Sequence, residues 1–423
     1  LVACEKCSTD SIFYYVIARQ ATVNSRLPTV NFLQFFPHLC RMKVVQAVPA
    51  RANRVAVSVF FFIAGLDFAS WTSRIPDIKT KLHLNDAAFG GILFALPMGL
   101  MLSLPASGYL VTRFGSRRIV ITFAALCTTV LVFIGLAAAG WQLAALLFVY
   151  GFCSNMLNIS MNTQAVGVEA GYGRSLMGSF HGLWSSAGFT GNLVGLLLRN
   201  FNVIPPYHYV LIWCMVAAGI FIVYRNLLVK DIGDDATKPL FAWPDAAIFK
   251  LGIIAFCSMV SEGAMFDWSG VYFQNVVHAP NKLILAGSLS FMFMMAAARL
   301  TGDRFITRFG VKPMLQISGC LITAGLLTAV IFPYLLSAAF GFFLVGFGVA
   351  LVVPMVYGLA GKSKTMSPGV ALAAVSSIGF IGFLVGPPLI GFIAQAASLR
   401  ISFSLIAVLG FGTTLMATVV KVE

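Results

Sequence analysis

The fold class this sequence predicts is an all-α membrane protein, twelve transmembrane helices arranged as two pseudo-symmetric six-helix halves. Three observations predict it. The 423 residues are 59% hydrophobic and only 10% charged, against roughly 25% charged in an ordinary soluble chain. Apolar stretches of membrane-spanning length, about 20 residues each, recur along it, and they run continuously instead of alternating, so helices and not a barrel satisfy the backbone in lipid. Finally, the chain repeats itself. Ser185 to Gly195 (SSAGFTGNLVG) and Ser376 to Gly386 (SSIGFIGFLVG) agree at eight of eleven positions, and Thr112-Arg113-Phe114-Gly115 recurs as Thr307-Arg308-Phe309-Gly310. The two echoes lie 191 and 195 residues apart, a near-constant spacing that points to duplicated halves.

The spans follow in order. The first, 54–73, begins at Arg54, and Asn85-Asp86 caps the second, 86–111. The third, 118–139, follows a basic run ending at Arg118; the fourth and fifth are 141–167 and 177–199; the sixth is 207–228. After a linker at 230–247 the second half places spans at 248–274, 282–304, 312–333, 336–361, 369–392 and 398–420, with Ser367-Pro368 opening the eleventh. Pro97, Pro105, Pro354, Pro387 and Pro388 fall inside spans, where neighbouring helices can satisfy the freed carbonyls. The expected units are therefore 42–229, the linker 230–247, and 248–423. Residues 1–41 stand apart as a mis-called or disordered extension, because Met42-Lys43 looks like a start and no apolar run there exceeds the short stretch Ile12 to Ala18.

A formal charge of +14 suggests nucleic acid until the basic residues are located. Seventeen of them, among them Arg113, Arg117, Arg118, Arg225, Arg304 and Arg308, fall in loops on one side of the membrane; six, including Arg74, Lys81, Arg199 and Arg400, fall on the other. This is the positive-inside asymmetry; it places both termini in the cytoplasm and makes a membrane protein with no nucleic-acid partner the expectation. Cys4 and Cys7 form a lone C-x-x-C without a second pair, and Cys127, Cys153, Cys214, Cys257 and Cys320 fall in spans as small core residues. The chain has no H-E-x-x-H, G-x-S-x-G or G-x-G-x-x-G, and Gly361-Lys362-Ser363 has Val356 where a phosphate-binding loop needs Gly. An enzyme, a metal site and a cofactor are not expected, and any pumping must draw on a gradient.

The segment Gly108-Tyr-Leu-Val-Thr112-Arg113-Phe-Gly115-Ser-Arg117-Arg118 resembles the signature loop of the major facilitator superfamily, with Thr112 in place of that loop's Asp. Its weaker echo, Asp303 to Lys312, carries Arg308 and Gly310. Ser179-Phe-His181-Gly-Leu-Trp184-Ser185 and Glu262-Gly-Ala-Met-Phe-Asp267-Trp268-Ser269 are similar to motifs of YbjJ-like permeases, relatives of the fucose permease. The resemblance implies a major facilitator fold, a carrier for a small solute with sugars favoured, proton-linked or facilitative movement, and a gating role for the signature loop. Loss of the Asp at Thr112 puts that family's carboxylate gate in doubt here.

Polar side chains near the midplane are the candidate site. Asp67, Trp71 and Arg74 share a face of the first span, so a titrating Asp67 has Arg74 as its candidate charge partner. Asn155, Asn158 and Asn162 line the fourth span, each offering donors and an acceptor to a hydroxyl-rich ligand. His181, Trp184, Ser185 and Asn192 align on the fifth, where an aromatic beside polar groups suits a sugar ring. In the seventh, Glu262 is the first candidate for proton coupling, with Asp67 and Asp267 beside it; Asp267 lies about 140° around the helix from Glu262 and cannot meet the same ligand head-on. Arg299 is the candidate cation partner for one of these acids. Each polar residue has a plainer structural reading too, as interhelical glue or a buried ion pair. Aligning the halves sets Asn192 opposite Phe383, Glu262 opposite Gly65 and Asp67 opposite Ala264, so the duplication keeps glycines and drops charges. The expected activity is secondary transport of a small solute, coupled to protons, by a monomer in the lipid bilayer. An efflux carrier of the same fold and a non-transporting sensor or scaffold are the alternatives.

Overall fold

The computed structural model describes residues 50–172, 176–231, 245–363, 365–366 and 368–420. The expectations for residues 1–41, for the Ser367 cap and for most of the 230–247 linker lie outside the described residues. Among them, α1 (Ala50–Ser73), α2 (Ile75–Lys81), α3 (Asp86–Leu93), α4 (Ala95–Phe114), α5 (Ser116–Leu136), α6 (Gly140–Tyr172), α7 (Met177–Asn200) and α8 (Pro205–Val223) make the amino-terminal half. The carboxyl-terminal half comprises α9 (Ala246–Asn275), α10 (Ala286–Phe309), α11 (Val311–Ile331), α12 (Leu335–Ala360), α13 (Pro368–Ala396) and α14 (Leu399–Val419). No strand occurs among the described residues.

Eleven of the described helical segments are long and apolar enough to cross a membrane. One of them, Asp86–Phe114, combines α3 and α4, which meet at a helical Phe94 just before Pro97. The proline has no N–H to offer the carbonyl of Leu93, which breaks the ladder without ending the rod. The twelfth segment is α7, 24 residues long but diluted by His181, Ser185, Ser186, Thr190 and Asn192. Several helices outrun their expected ends, α6 reaching Tyr172 and α10 reaching Phe309. Large apolar side chains such as Trp141, Phe221, Leu336 and Phe392 stay exposed on the outside, as a lipid-facing surface requires.

The duplication is visible in the packing. α7 lies against α1, and α13 against α9. A Cβ on Gly191 would sit 2.7 Å from the Ala69 Cβ, and one on Gly382 would sit 2.7 Å from the Phe256 carbonyl oxygen, so this shared glycine lets the helices approach closely in both halves. The α4–α5 and α10–α11 junctions turn on Gly115 (φ 81°) and Gly310 (φ 85°), where an L side chain is strained. Cations close the far ends of the equivalent helices: Lys81 Nζ donates to the Gly135 and Ala137 carbonyls ending α5, and Arg400 donates to the Val330 carbonyl ending α11.

At the basic end of the amino-terminal half, Asp231 accepts from the Ser116 amide (2.8 Å) and hydroxyl, capping α5. Gln164 of α6 donates to Ser116 Oγ (2.6 Å) and to the Leu228 carbonyl, and accepts from the Leu228 amide. Glu169 Oε2 accepts from the amides of Leu176 and Met177, satisfying the first donors of α7.

The halves meet along α7 and α10, and at the end opposite the basic loops they also meet through α3 with α13 and α2 with α9. There a Cβ on Gly90 would stand 2.9 Å from Gly391 Cα, a Cβ on Gly270 would stand 2.8 Å from Pro76 Cγ, and the Phe89 ring packs edge-on against Trp268 (5.5 Å). Towards the basic end, Asn158, Asn162, Trp184, Tyr357 and Phe383 keep partial exposure. The polar lining therefore faces a cleft shut at one end.

Candidate functional site

Glu262 of α9 is 6% exposed, and its Oε1 accepts a hydrogen bond from Arg299 Nη2 of α10 at 3.0 Å. The same guanidinium donates through Nη1 to Ser185 Oγ of α7 at 2.8 Å and lies over the Trp184 ring, 5.8 Å from its centroid. One side chain thus joins three helices and both halves. An ion pair in a low-dielectric site is tolerable only when its geometry is good and its remaining hydrogens are used, and here the fork of Arg299 reaches an acid, a hydroxyl and a ring.

Aromatic rings cover this pair. Phe68 of α1 packs on Trp184 (6.0 Å) and edge-on to Phe266 of α9 (5.0 Å), and Phe266 packs in turn against Trp184 (6.2 Å) and Phe291 of α10 (5.5 Å). Rings from both halves therefore interlock beside the only ion pair that joins α9 to α10 among the described residues. Nothing in the sequence pairs Phe68 with Phe266, because the contact crosses between the halves.

Along α6, Val149, Phe152, Ile159 and Val166 keep exposure on an apolar stripe, and Ser154, Asn158 and Asn162 keep partial exposure on a polar one roughly 120° around the helix. Asn162 Nδ2 donates to the Asn158 carbonyl and side-chain oxygens (2.8 and 2.9 Å), which leaves the Asn158 amide group and the Asn162 oxygen unused by these bonds. Asn155 departs from this expected line. It is 2% exposed and donates to Ser103 Oγ of α4 at 2.7 Å, so it joins two helices and is not offered to the cleft.

Three more expected ligand residues are turned inward. Trp71 is fully buried, and Asn192 is buried with its amide donating to its own helix at the Gly188 carbonyl. Asp67 is buried among α1, α5 and α6, its Oδ2 accepting from Tyr150 Oη (2.9 Å) and Cys127 Sγ (3.3 Å). Arg74 is not its partner. The guanidinium of Arg74 instead pairs with Asp77 (3.0 Å) and donates to His208 Nδ1 (3.1 Å), while Arg199 holds the other Asp77 oxygen (2.6 Å). The i+7 spacing expects Asp67 and Arg74 on one face, but Arg74 stands just past the end of α1, at the turn into α2, where Asp77 is nearer. Asp77, Arg199 and His208 carried no motif that would have singled them out. Asp267 is partly exposed and makes no hydrogen bond or ion pair among the described residues. No cluster of His, Cys, Asp and Glu that could hold a metal occurs among those residues.

A polar cleft at the seam of two duplicated helical halves calls for comparison with known proteins. The family model described as Major Facilitator Superfamily matches residues 57–365. The chain belongs to the major facilitator superfamily. An uncharacterized MFS-type transporter of Yersinia pestis is 34% identical over 371 residues, covering 86% of this chain and 95% of that protein. Membrane protein MosC of Rhizobium meliloti is 34% identical over 348 residues, covering 81% of this chain and 84% of its own. Among solved structures, the nucleoside transporter NupG superposes with a TM-score of 0.68 at 13% identity, over 88% of this chain and 100% of that one. A bacterial homolog of the human lysosomal transporter Spinster gives 0.66 at 14% identity, over 88% and 97%. The chain is a multi-pass membrane transporter of the superfamily.

The superfamily's signature loop is formed in this member without its acid. Thr112 Oγ1 donates back to the Gly108 and Tyr109 carbonyls of its own helix. Arg113 bonds the Tyr109 hydroxyl and lies over the Tyr109 and Phe114 rings, and Arg117 donates to the Tyr224 carbonyl at 3.1 Å. Arg118 is exposed, and Arg308 lies over Phe309 beside Gly310. Among the described residues, these arginines find rings and carbonyls where a carboxylate gate would use an ion pair.

Proposed function

We propose that this transporter is a secondary active carrier of a small hydroxyl-rich solute of the sugar type, coupled to protons and working by alternating access. The observation that carries the reading is the position of Arg299, held by Glu262 within one half and by Ser185 and Trp184 of the other. Protonating Glu262 removes the charge that fixes Arg299, and the cross-half contact of α10 with α7 is then free to rearrange. Binding falls to Asn158, Asn162 and Trp184, which combine amides with an aromatic face beside the charged pair. Asp267, partly exposed and unpartnered, is a second proton acceptor. In the reorientation, 42–229 rocks against 248–423 on the tether 230–247. With the basic loops on the cytoplasmic side of an inner membrane, as the charge asymmetry supports, the state described is open inward and closed at Gly90 and Gly391. A monomer suffices for the cycle.

The test begins with thermal-shift screening of purified protein against sugars, nucleosides, amino acids and drugs. Uptake of the hit is then measured in proteoliposomes with and without an imposed pH gradient. Gradient-driven accumulation is expected in the parent and not in Glu262→Gln, which should still exchange solute down its own gradient. A Glu262→Gln protein that accumulates solute fully would remove this residue from coupling.

A further inference from the structure

Asp67 is the one buried acid of the amino-terminal half's interior that the cleft does not reach, yet it is connected to the cleft wall. Cys127 Sγ donates to Asp67 Oδ2 at 3.3 Å and is itself 3.2 Å from Ser154 Oγ. A thiol has a single proton. Because Cys127 gives that proton to Asp67, the Ser154 hydroxyl must be the donor in the second bond, and the chain runs in one direction, Ser154 to Cys127 to Asp67. Ser154 is the partly exposed member, one turn before Asn158 on the polar stripe of α6, and its oxygen lone pairs remain to accept from outside. Asp67 Oδ1 is buried with no hydrogen-bond partner, so the ionised carboxylate is only half satisfied where it sits.

We propose that Ser154 and Cys127 are a side-chain relay that carries protons between the cleft and Asp67, making Asp67 a proton site remote from the solute. The step balances as three concerted hops. A hydronium ion in the cleft gives a proton to Ser154 Oγ and is left as neutral water, Ser154 passes its own proton to Cys127 Sγ, and Cys127 passes its own to Asp67 Oδ2. Each relay atom ends with the number of protons it began with, and the chain reverses direction, Asp67 now donating to Cys127 and Cys127 to Ser154. Tyr150 Oη donates to the same carboxylate oxygen and interacts with Ser154 as well, so it is the competing route, and Tyr150→Phe should leave the rate within about twofold of the parent. The titratable groups acting on or from Asp67 are Cys127 of α5, Tyr150 and Cys153 of α6 and Tyr209 of α8; no lysine or arginine is bonded to it among the described residues. α7, which also packs on α1, contributes no charged group to it, and Arg74, just past the end of α1, is committed to Asp77 and His208.

The inference rests on the proton-linked reading for its use in transport, but its test needs no solute. In protein reconstituted into nanodiscs, the carboxyl stretch of Asp67 is followed by infrared difference spectroscopy after a pH jump, the band being identified by its loss in Asp67→Asn. The band is expected to respond between about pH 4 and 9. Its rate should fall by about tenfold or more in Cys127→Ala and in Ser154→Ala, and recover in Cys127→Ser, which restores a hydroxyl relay. A rate within about twofold of the parent in Ser154→Ala, a small change at a partly exposed position, overturns the route even if Cys127→Ala does not fold. Absence of an Asp67 band over that range overturns it as well. Either failure would leave Glu262-dependent uptake standing, and loss of coupling at Glu262 would leave the Asp67 kinetics untouched.

Discussion

Arg299 carries the largest share of the site's electrostatics, and its removal is the sharpest test of how the halves are joined. Arg299→Ala leaves the Glu262 carboxylate buried without a partner, a change that typically costs about 3 to 5 kcal/mol. Combining it with Glu262→Gln should recover more than about 1 kcal/mol of that loss, since the charge that needed the partner is gone. Chemical denaturation in detergent measures both, and equal stability of the single and double variants would mean the pair is solvated. Trp184 acts differently. It is a ring under a guanidinium and beside Phe68 and Phe266, so Trp184→Ala should weaken solute binding by about tenfold while Trp184→Phe, which keeps a ring, should lose less. The comparison of apparent affinities in exchange assays separates them.

At the scale of the element, two local devices are predicted to matter equally in the two halves or in one alone. Gly115→Ala and Gly310→Ala each force an L side chain into positive φ, at a cost of about 1 to 2 kcal/mol apiece, and matched losses in thermal stability would show that the duplicated turns do the same work. The start of α9 shows a device of a different kind. Asp245 caps it by accepting from the Ile248 amide at 2.7 Å, and its side chain also bonds Thr365 in the α12–α13 connection. These two hydrogen bonds, the Ile248 amide first, hold its carboxyl below the ordinary aspartate value. A depressed folded value means stability present above the unfolded value and lost as pH falls through the folded one. Asp245→Ala should therefore lower stability by about 1 kcal/mol at neutral pH and flatten the acid limb of the profile of melting temperature against pH.

For the whole molecule, the asymmetry between the two ends is the property to test. Asn162→Cys should react with a membrane-impermeant thiol reagent applied from the basic side, and Trp71→Cys, wholly buried, should not. Gly391→Leu places a side chain where Gly90 and the Asp86 carbonyl already stand, so it should hold the opposite end apart and let the reagent in from that side.

The helices, their order and their duplication were legible because lipid forces long apolar runs and because packing glycines recur wherever two helices touch at the same point in each half. Asn85 could be read as a cap for the same local reason, its side chain accepting from Ala88 three residues on. Arg299 was legible as the partner of one of the acids, since ionised groups in a membrane must find each other, but that it takes Glu262 and not Asp267 was not. The partner of Arg74 was not legible, because α1 ends at Ser73 and which acid a buried arginine takes depends on that ending and on where α7 and α8 bring Arg199 and His208. For the same reason Asn155, Asn158 and Asn162 looked alike in the chain and differ in the protein: α4 crosses α6 at Ser103 and claims only the first. By itself the sequence determined a twelve-span carrier built twice over, with its charges in the places where the repeat breaks. Only the tertiary structure decided which of those charges face the cleft and which face their own half, because helix periodicity sets the direction of a side chain relative to its helix, and the crossing of neighbouring helices sets what lies in that direction.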